Sequence, residues 1–286
     1  MLSMTSSQAG SALAKELFPL LGPLGIVGLR VSWAALFLFI IWRKHTREHY
    51  GWKAYGLAAL FGLALGSMNL SFYLSMSQIP LGLTVTIEFL GPLTLAIVLS
   101  RKLLDLLWVL LALGGILLLA PIGALGGSAL SVTGIILALL AGVFWAAYIL
   151  LSSRVGKVFP GGTGLAFATL SAAIVLLPLG IAQARGALLQ PLLVLAGAGV
   201  GLLSTALPYS LEMEALRRLP SRVFSVLLSL SPAIASLMGF IILHEHLSWR
   251  DVAAIALISL ASVGVIVFQK TSGPTQAPAQ TTPDNK

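Results

Sequence analysis

The sequence predicts an all-α membrane protein with ten transmembrane helices arranged as two inverted five-helix repeats. Hydrophobic residues make up 58% of the 286 positions and charged residues only 9%, whereas a soluble domain carries roughly a quarter charged residues. A chain with so few charges cannot cover a surface that faces water, so lipid must surround most of it. The apolar segments and a set of markers repeated between the halves give the number and arrangement of the helices.

Breaks at glycine, proline and charge clusters divide the chain into ten apolar segments, each near the ~20 residues that a helix needs to cross a bilayer. In chain order they are 2–20, 24–42, 53–76, 81–100, 103–121, 132–152, 163–182, 190–213, 221–243 and 250–268. Gly62 and Gly66 give the third segment a small-residue face, which favours close packing against another helix. The polar, proline-rich stretch 271–286 is predicted to be a disordered tail.

The positions of the basic residues predict the orientation, because cytoplasmic loops collect lysine and arginine. With the N-terminus in the cytoplasm, 13 of the 17 basic residues lie in even-numbered connections or after the last segment. These are Arg43, Lys44, Arg47, Lys53, Arg101, Lys102, Arg154, Lys157, Arg217, Arg218, Arg222, Lys270 and Lys286. Only Arg185 and Arg250 lie in the opposite loops. Both termini are therefore predicted to be cytoplasmic, and the formal charge of +8 requires no nucleic-acid partner.

Sequence markers recur between the two halves at a nearly constant offset. Phe18-Pro19 matches Phe159-Pro160 and Trp108 matches Trp249 at 141 residues, while Pro80 matches Pro220 and Pro92 matches Pro232 at 140. Each half holds five segments, an odd number, so the halves enter the membrane from opposite sides, as in many secondary transporters.

The repeat divides the chain into 1–125 for the first five-helix unit, 126–270 for the second and 271–286 for a cytoplasmic tail. The same offset places the counterpart of the sixth segment's start before Met1. We therefore expect either that the first helix is truncated at its cytoplasmic end or that the start of the chain has been assigned too late.

Composition argues against several kinds of site. The chain has no cysteine, which excludes disulfides, thiolate metal ligands and cysteine nucleophiles. The histidine pairs His45/His49 and His244/His246 lack the further ligands that a zinc site needs, so we expect no metal. GxxxxGKS, HExxH and GxSxG motifs are absent from the sequence, so we expect neither a cofactor nor an enzymatic activity, and transport would be facilitated or coupled to an ion such as the proton.

Glu88 is the residue that the sequence singles out for chemistry. It lies near the middle of the apolar stretch SQIPLGLTVTIEFLGPLTLAIVLS (77–100), where an ionised side chain costs about 2.5–3.5 kcal/mol. Two interpretations remain open: a structural hydrogen bond to a neighbouring helix, or recognition of a substrate amine or a proton. Lys15 is the candidate partner for a substrate carboxylate, whereas Glu245, at the outer end of the ninth segment, is expected to be solvated.

Other polar and aromatic side chains within the segments are candidates for orienting a substrate. Asn69 and Tyr73 are four residues apart and share a helix face, and Trp145 and Tyr148 have helical spacing. Pro92, Pro208 and Pro232 each leave a carbonyl without its helical donor, as at the broken helices of transporter sites. The full candidate set for substrate binding is Lys15, Asn69, Tyr73, Glu88, Trp145, Tyr148, Tyr209 and Ser229, with Glu88 also the candidate for proton coupling. Arg30 fits either a side chain snorkelling outward or a partner for a carboxylate.

Several stretches resemble the EamA type of the drug/metabolite transporter superfamily, and in particular its bacterial threonine/homoserine exporter branch. They are SALAKELFP (11–19), GSMNLSFYLS (66–75), PLGLTVTIEFLGPL (80–93), WAAYIL (145–150) and STALPYSLEMEALRRLPSRVFSVLLSLSPA (204–233). The resemblance covers about residues 6–268. Two positions depart from the branch's pattern: Ser231 replaces an acidic residue before the proline, and Glu16 adds a carboxylate beside Lys15.

The resemblance implies ten helices around a central cavity in the bacterial inner membrane, with amino acids exported by alternating access. Threonine and homoserine are the expected substrates. Export of aromatic amino acids, or of other small metabolites or drugs, is the alternative within the superfamily. A membrane scaffold without transport activity is the alternative of another class.

Overall fold

In a computed structural model that describes residues 2–100, 104–119, 131–208, 211 and 229–268, these residues form helices, turns and loops without any strand. The α-helices are α1 (Leu2–Glu16), α2 (Phe18–Ile41), α3 (Gly51–Met76), α4 (Leu81–Glu88), α5 (Leu90–Ser100), α6 (Leu104–Leu119), α7 (Val132–Val155), α8 (Thr163–Ala184), α9 (Pro191–Gly201), α10 (Ser231–Leu243) and α11 (Trp249–Phe268). Short 3₁₀ turns at His45–Arg47 and Arg185–Leu189 join long helices, and a π-helical turn at Leu202–Ala206 continues α9. The prediction of an all-α membrane fold is confirmed.

Within the described residues, four helical stretches are long and apolar enough to cross a membrane: Phe18–Ile41, Gly51–Met76, Val132–Val155 and Thr163–Leu189. Shorter apolar helices include Leu81–Leu95, Pro191–Ala206 and Ser231–Leu243, and α4 and α5 are separated at Phe89. Each of the ten predicted segments contains a described helix or part of one. The boundary predicted at residue 125 and the predicted tail both lie outside the described residues.

Irregular backbone lies just before each of the three prolines that the sequence indicated. The α4–α5 break at Phe89 precedes Pro92, the π-helical turn precedes Pro208, and a turn at residues 229–230 precedes Pro232 in the first turn of α10. Proline lacks the N–H that would bond to the carbonyl four residues earlier, so each one weakens the turn on its N-terminal side. The predicted interruptions at Pro92 and Pro208 are confirmed, whereas the segment before the turn at Pro232 lies outside the described residues.

The largest helix contacts have the pattern expected if each helix of one predicted repeat can be exchanged with its counterpart in the other. The predicted counterparts α2 and α8 pack on each other, and so do α6 and α11, and α4 and α10. The other large contacts come in pairs that correspond under this exchange. The contact of α3 with α7, for example, corresponds to the contact of α9 and its π-helical turn with α1. This is the pattern that a two-fold relation between the predicted repeats would give.

Glycines allow helix backbones to approach closely at two places. Gly62 and Gly66 of α3 lie against Ala168 and Ala172 of α8, which confirms the predicted small-residue face. Gly91, beside the α4–α5 break, lies against the backbone carbonyl of Gly142 in α7, where a Cβ atom at position 91 would collide with it. The second approach fixes the position of the break that carries Glu88.

Candidate substrate-binding cavity

A cavity of about 280 Å³ lies where α1, α2, α3, the α4–α5 break, α7 and the start of α10 meet. Its walls combine polar, charged and aromatic side chains, as expected of a site that holds a small polar solute. The lining residues are Met4, Ser7, Gln8, Ser11, Arg30, Met68, Asn69, Phe72, Val85, Glu88, Phe89, Trp145, Tyr148, Ser204, Pro208 and Ser231.

Arg30 supplies the positive charge of this cavity. It lies near the middle of α2, and its Nη1 donates a hydrogen bond of 2.6 Å to Asn69 Oδ1. The Asn69 side chain is oriented for this by a second bond, from its Nδ2 to the Leu65 carbonyl at 2.8 Å. The guanidinium carbon also lies 5.3 Å from the centre of the buried Tyr73 ring, within the range of a cation–π interaction. Asn69 and Tyr73, which share a face of α3, therefore both hold Arg30.

A proline explains the third contact of the guanidinium. Arg30 Nη2 donates to the carbonyl of Ser204 at 3.3 Å. In a regular helix the residue at position 208 would donate to this carbonyl, but Pro208 has no N–H. The arginine thus binds a carbonyl oxygen that the sequence leaves without its helical donor. A guanidinium has five N–H donors, and the Nε of Arg30 has no partner among the described residues.

Glu88 supplies the carboxyl group of the cavity. It is the last residue of α4, is 8% exposed and precedes the break at Phe89. The ion pairs of the described part of the chain, Lys15–Glu245 and His45–Glu48, involve neither Glu88 nor Arg30. One small cavity therefore holds a cation and a carboxylate that are not paired with each other. This arrangement suits a zwitterion, whose carboxylate and ammonium need opposite charges.

Aromatic side chains form one wall of the cavity. The rings of Phe89 and Trp145 meet edge to face, with centroids 4.8 Å apart. Tyr148, on the same side of α7, packs on Phe61 with centroids 4.9 Å apart. It also lines a second, more apolar cavity of about 270 Å³ near Trp42 and Phe159. Tyr148 thus lies between the two cavities.

Gln8 of α1 brings an unpaired acceptor to the cavity. Its Oε1 atom is buried and has no hydrogen-bond partner within the described residues. A buried oxygen without a partner is unfavourable by about 1–3 kcal/mol, so a solute hydroxyl or amine that donates to it would be stabilised there.

The structure brings together four of the eight predicted substrate-binding residues, Asn69, Glu88, Trp145 and Tyr148, in the lining of this cavity. Tyr73 lies behind Arg30 and is completely buried. Ser229, also completely buried, is in the turn before α10 and is not part of the lining. Tyr209 lies outside the described residues.

Lys15 is placed differently from the other candidates. It is absent from the cavity lining, and its Nζ forms an ion pair of 2.6 Å with Glu245 Oε1. The prediction that Glu245 is solvated is wrong, because its side chain is 14% exposed and bonded to Lys15. The loop that carries Glu245 folds back toward α1, which its position after an apolar segment did not indicate.

Sequence reasoning left the role of Arg30 undecided. The second segment was predicted to begin at residue 24, so Arg30 seemed close to its end. In the structure, the helix is broken at Gly22, where φ is 68° and ψ is 163°, and it resumes after this residue, close to the predicted start. The free N–H of Leu24 is bound by the Gln183 side chain at 2.7 Å. Arg30 lies about two turns beyond this break and lines the cavity, where a charge needs a partner or a function.

Groups of three or more His, Asp or Glu side chains that could hold a metal are not found in the part of the chain that the structure describes. The charged groups of the cavity suit an organic ion.

Comparisons with known proteins agree with a transport fold. The profile of the EamA-like transporter family matches residues 132–267. The threonine/homoserine exporter RhtA of Salmonella typhimurium (strain LT2) is 44% identical over 265 residues, which cover 92% of this chain and 88% of that protein. The exporter RhtA of Escherichia coli (strain K12) is 43% identical with the same coverage. A solved crystal structure with 17% identity aligns with a TM-score of 0.61 over 93% of this chain and 95% of that one, which indicates a shared fold.

Proposed function

The chain belongs to the EamA-like transporter family, and from this premise we propose that it exports small zwitterionic amino acids such as threonine and homoserine. The relatives named as threonine/homoserine exporters are 43–44% identical to it over nearly their whole length. Membership in a transporter family also favours transport over catalysis.

The observation that carries the proposal is the presence of Arg30 and Glu88 in one cavity. Arg30 binds the substrate carboxylate through the donors that Asn69 and Ser204 leave free, because a guanidinium matches the two oxygens of a carboxylate. Glu88 binds the ammonium group. The volume of about 280 Å³ lies just below the range of about 300–1,000 Å³ typical of sites for drug-sized ligands, which favours a single amino acid.

The transporter resides in the inner membrane with both termini in the cytoplasm. The distribution of basic residues supports this orientation. The site lies between helices of both predicted repeats, so we infer transport by alternating access, with the two halves rocking around it. Glu88 is also the candidate for coupling transport to a proton gradient, since it is the carboxylate in the cavity lining.

Export of aromatic amino acids is the second candidate. It is favoured by the wall formed by Phe72, Phe89, Trp145 and Tyr148, since aromatic rings stack or meet edge to face with about 0.5–1.5 kcal/mol beyond area burial. Both candidates use the same pair of charges for the backbone groups of the substrate.

The experiment is efflux of labelled threonine, homoserine and phenylalanine from preloaded proteoliposomes, with and without a proton gradient. We expect threonine and homoserine to leave faster than phenylalanine. Arg30→Gln should slow efflux about tenfold or more, because hydrogen bonds to a charged group contribute about 1.5–3 kcal/mol. Glu88→Gln should abolish the part of efflux that depends on the gradient.

Arg250→Gln is the matched control, because Arg250 is exposed at the start of α11 and does not line the cavity. It should transport like the wild type. If phenylalanine is the preferred substrate, the second candidate replaces the first. If the wild type moves none of the three amino acids, the proposed function is wrong.

A further inference from the structure

One ion pair joins three elements of the molecule beside the cavity. Lys15, near the end of α1, donates from Nζ to Glu245 Oε1 at 2.6 Å and to the carbonyl of Ile79 at 3.0 Å. The other oxygen of Glu245 accepts from the backbone N–H of Leu81, the first residue of α4, at 2.9 Å. Glu245 itself follows the end of α10. The pair therefore ties α1, α4 and α10 together.

The backbone after α10 is shaped to bring Glu245 to this position. His244 adopts a left-handed conformation with φ 54° and ψ 31°, which is uncommon for a residue with a side chain. The N–H groups of His244 and Glu245 both donate to the carbonyl of Gly239, so the chain turns back across the helix end. A Cβ atom at position 239 would lie 2.6 Å from Glu245 Oε2. The glycine thus leaves room for the carboxylate.

The ion pair lies one helical turn beyond the cavity. Ser11 of α1 lines the cavity, and Lys15 is four residues further along the same face, a rise of about 6 Å. Val85 of α4 also lines the cavity, and Leu81 is one turn away in the direction of the ion pair. Ser11 and Lys15 therefore place the cavity and the ion pair on one face of α1.

We propose that the Lys15–Glu245 pair is a gate that closes the cavity at this end and must open for the substrate to leave. The inference rests on the proposed transport function, and under the proposed orientation this is the outer end. The two side chains are 21% and 14% exposed, so the pair is shielded enough to hold the helices together and still reached by water. Such a pair is intermediate between a weak surface ion pair and a buried one that is costly to break.

Helix α4 connects this gate to the site. All eight of its residues, Leu81–Glu88, are buried. Its first N–H is held by Glu245, and its last residue is Glu88 in the cavity. A short helix moves as a unit. When Glu245 releases the N–H of Leu81, the helix that carries the Glu88 carboxylate is no longer held at its first residue. A substrate bound to Glu88 and the state of the gate therefore influence each other.

The test measures access to the cavity. The chain has no cysteine, so Ser11→Cys introduces a unique thiol in the cavity lining, where Ser11 is 5% exposed. A small membrane-impermeant methanethiosulfonate reagent is applied from outside to spheroplasts, and the rate of modification is measured. Glu245→Gln and Lys15→Gln are each added to this background. Glu245→Gln removes the charge and keeps an oxygen that can accept from Leu81.

Both added substitutions should raise the modification rate about tenfold, the factor that corresponds to about 1.4 kcal/mol. Glu48→Gln is the matched control, because it removes an ion pair with His45 that is exposed and remote from the cavity lining, and it should leave the rate unchanged. Unchanged rates in both gate variants would overturn the proposal. So would the loss of folded protein in both, since the pair would then be a fixed structural link.

The measurement does not require a substrate, which separates this inference from the proposed function. A rise in modification without amino-acid efflux leaves the gate in place and removes the proposed cargo. Amino-acid efflux with an unchanged modification rate would support the proposed function and overturn the gate.

Discussion

A single amide on α1 is positioned to distinguish hydroxylated substrates from others. The buried Oε1 of Gln8 has no partner among the described residues and lies in the cavity lining, so the hydroxyl of threonine can donate to it. Valine has nearly the same shape without the hydroxyl. We expect Gln8→Met to lower the ratio of threonine to valine efflux about tenfold, within the range of about 1–3 kcal/mol for an unpaired buried polar group. Efflux of both amino acids from proteoliposomes measures this ratio.

Gln190→Met provides the control, because Gln190 is exposed before α9 and does not line the cavity. An unchanged ratio in Gln8→Met would show that the amide does not bind the substrate side chain.

At the scale of single residues, the sequence predicted the polar positions better than their partners. Glu88 and Asn69 could be found because a polar group inside an apolar segment is costly unless it has a role. Arg30 was left undecided because its position in the segment does not show which way its side chain points, and its partners Asn69 and Ser204 lie on other elements. The pairing of Lys15 with Glu245 joins residues 230 positions apart and depends on the turn at His244. Local patterns do not contain such contacts.

At the scale of the elements, the break between α4 and α5 depends on a close approach of two backbones. Gly91 lies against the carbonyl of Gly142, and a methyl group added at position 91 would collide with backbone that cannot rotate away. We expect Gly91→Ala to destabilise the folded protein by about 1–3 kcal/mol, the usual effect of overpacking. Displacement of the break should also move Glu88 and slow threonine efflux. Thermal unfolding in detergent and efflux in proteoliposomes measure the two effects.

Gly56→Ala is the matched control, since a Cβ atom at Gly56 of α3 meets nothing within 4 Å. Alanine is favoured over glycine within a helix by about 1 kcal/mol, so this variant should be as stable as the wild type or more so. Equal stability of Gly91→Ala would mean that α7 can move away from the break. The irregular backbone before Pro92 and Pro208 could be predicted from these prolines, because proline acts through its own backbone. The partner helix at each interruption depends on tertiary packing.

At the scale of the whole molecule, the largest helix contacts follow the pairing expected of the two predicted repeats. Counterparts in the predicted repeat, such as α2 and α8, pack on each other. Only a few matched residues, among them Pro92 and Pro232, predict the repeat from the sequence. Backbone arrangement can persist while most side chains diverge, since many apolar residues fill a lipid-facing helix equally well. The sequence indicates the orientation in the membrane mainly through the lysine and arginine residues of the loops.

The predicted orientation leads to a test with two positions on either side of α8. Val158 lies in the loop before this helix and Gly186 in the turn after it, and both are exposed. The first loop also carries Arg154 and Lys157, so it is predicted to be cytoplasmic. In the cysteine-free chain, an impermeant thiol reagent should modify Gly186→Cys in intact spheroplasts and Val158→Cys only after permeabilisation. Neither substitution removes a basic residue, so the charge distribution that sets the orientation is unchanged. The reverse pattern would place Lys15 and Glu245 at the cytoplasmic face, and the gate would then control entry of the substrate rather than its release.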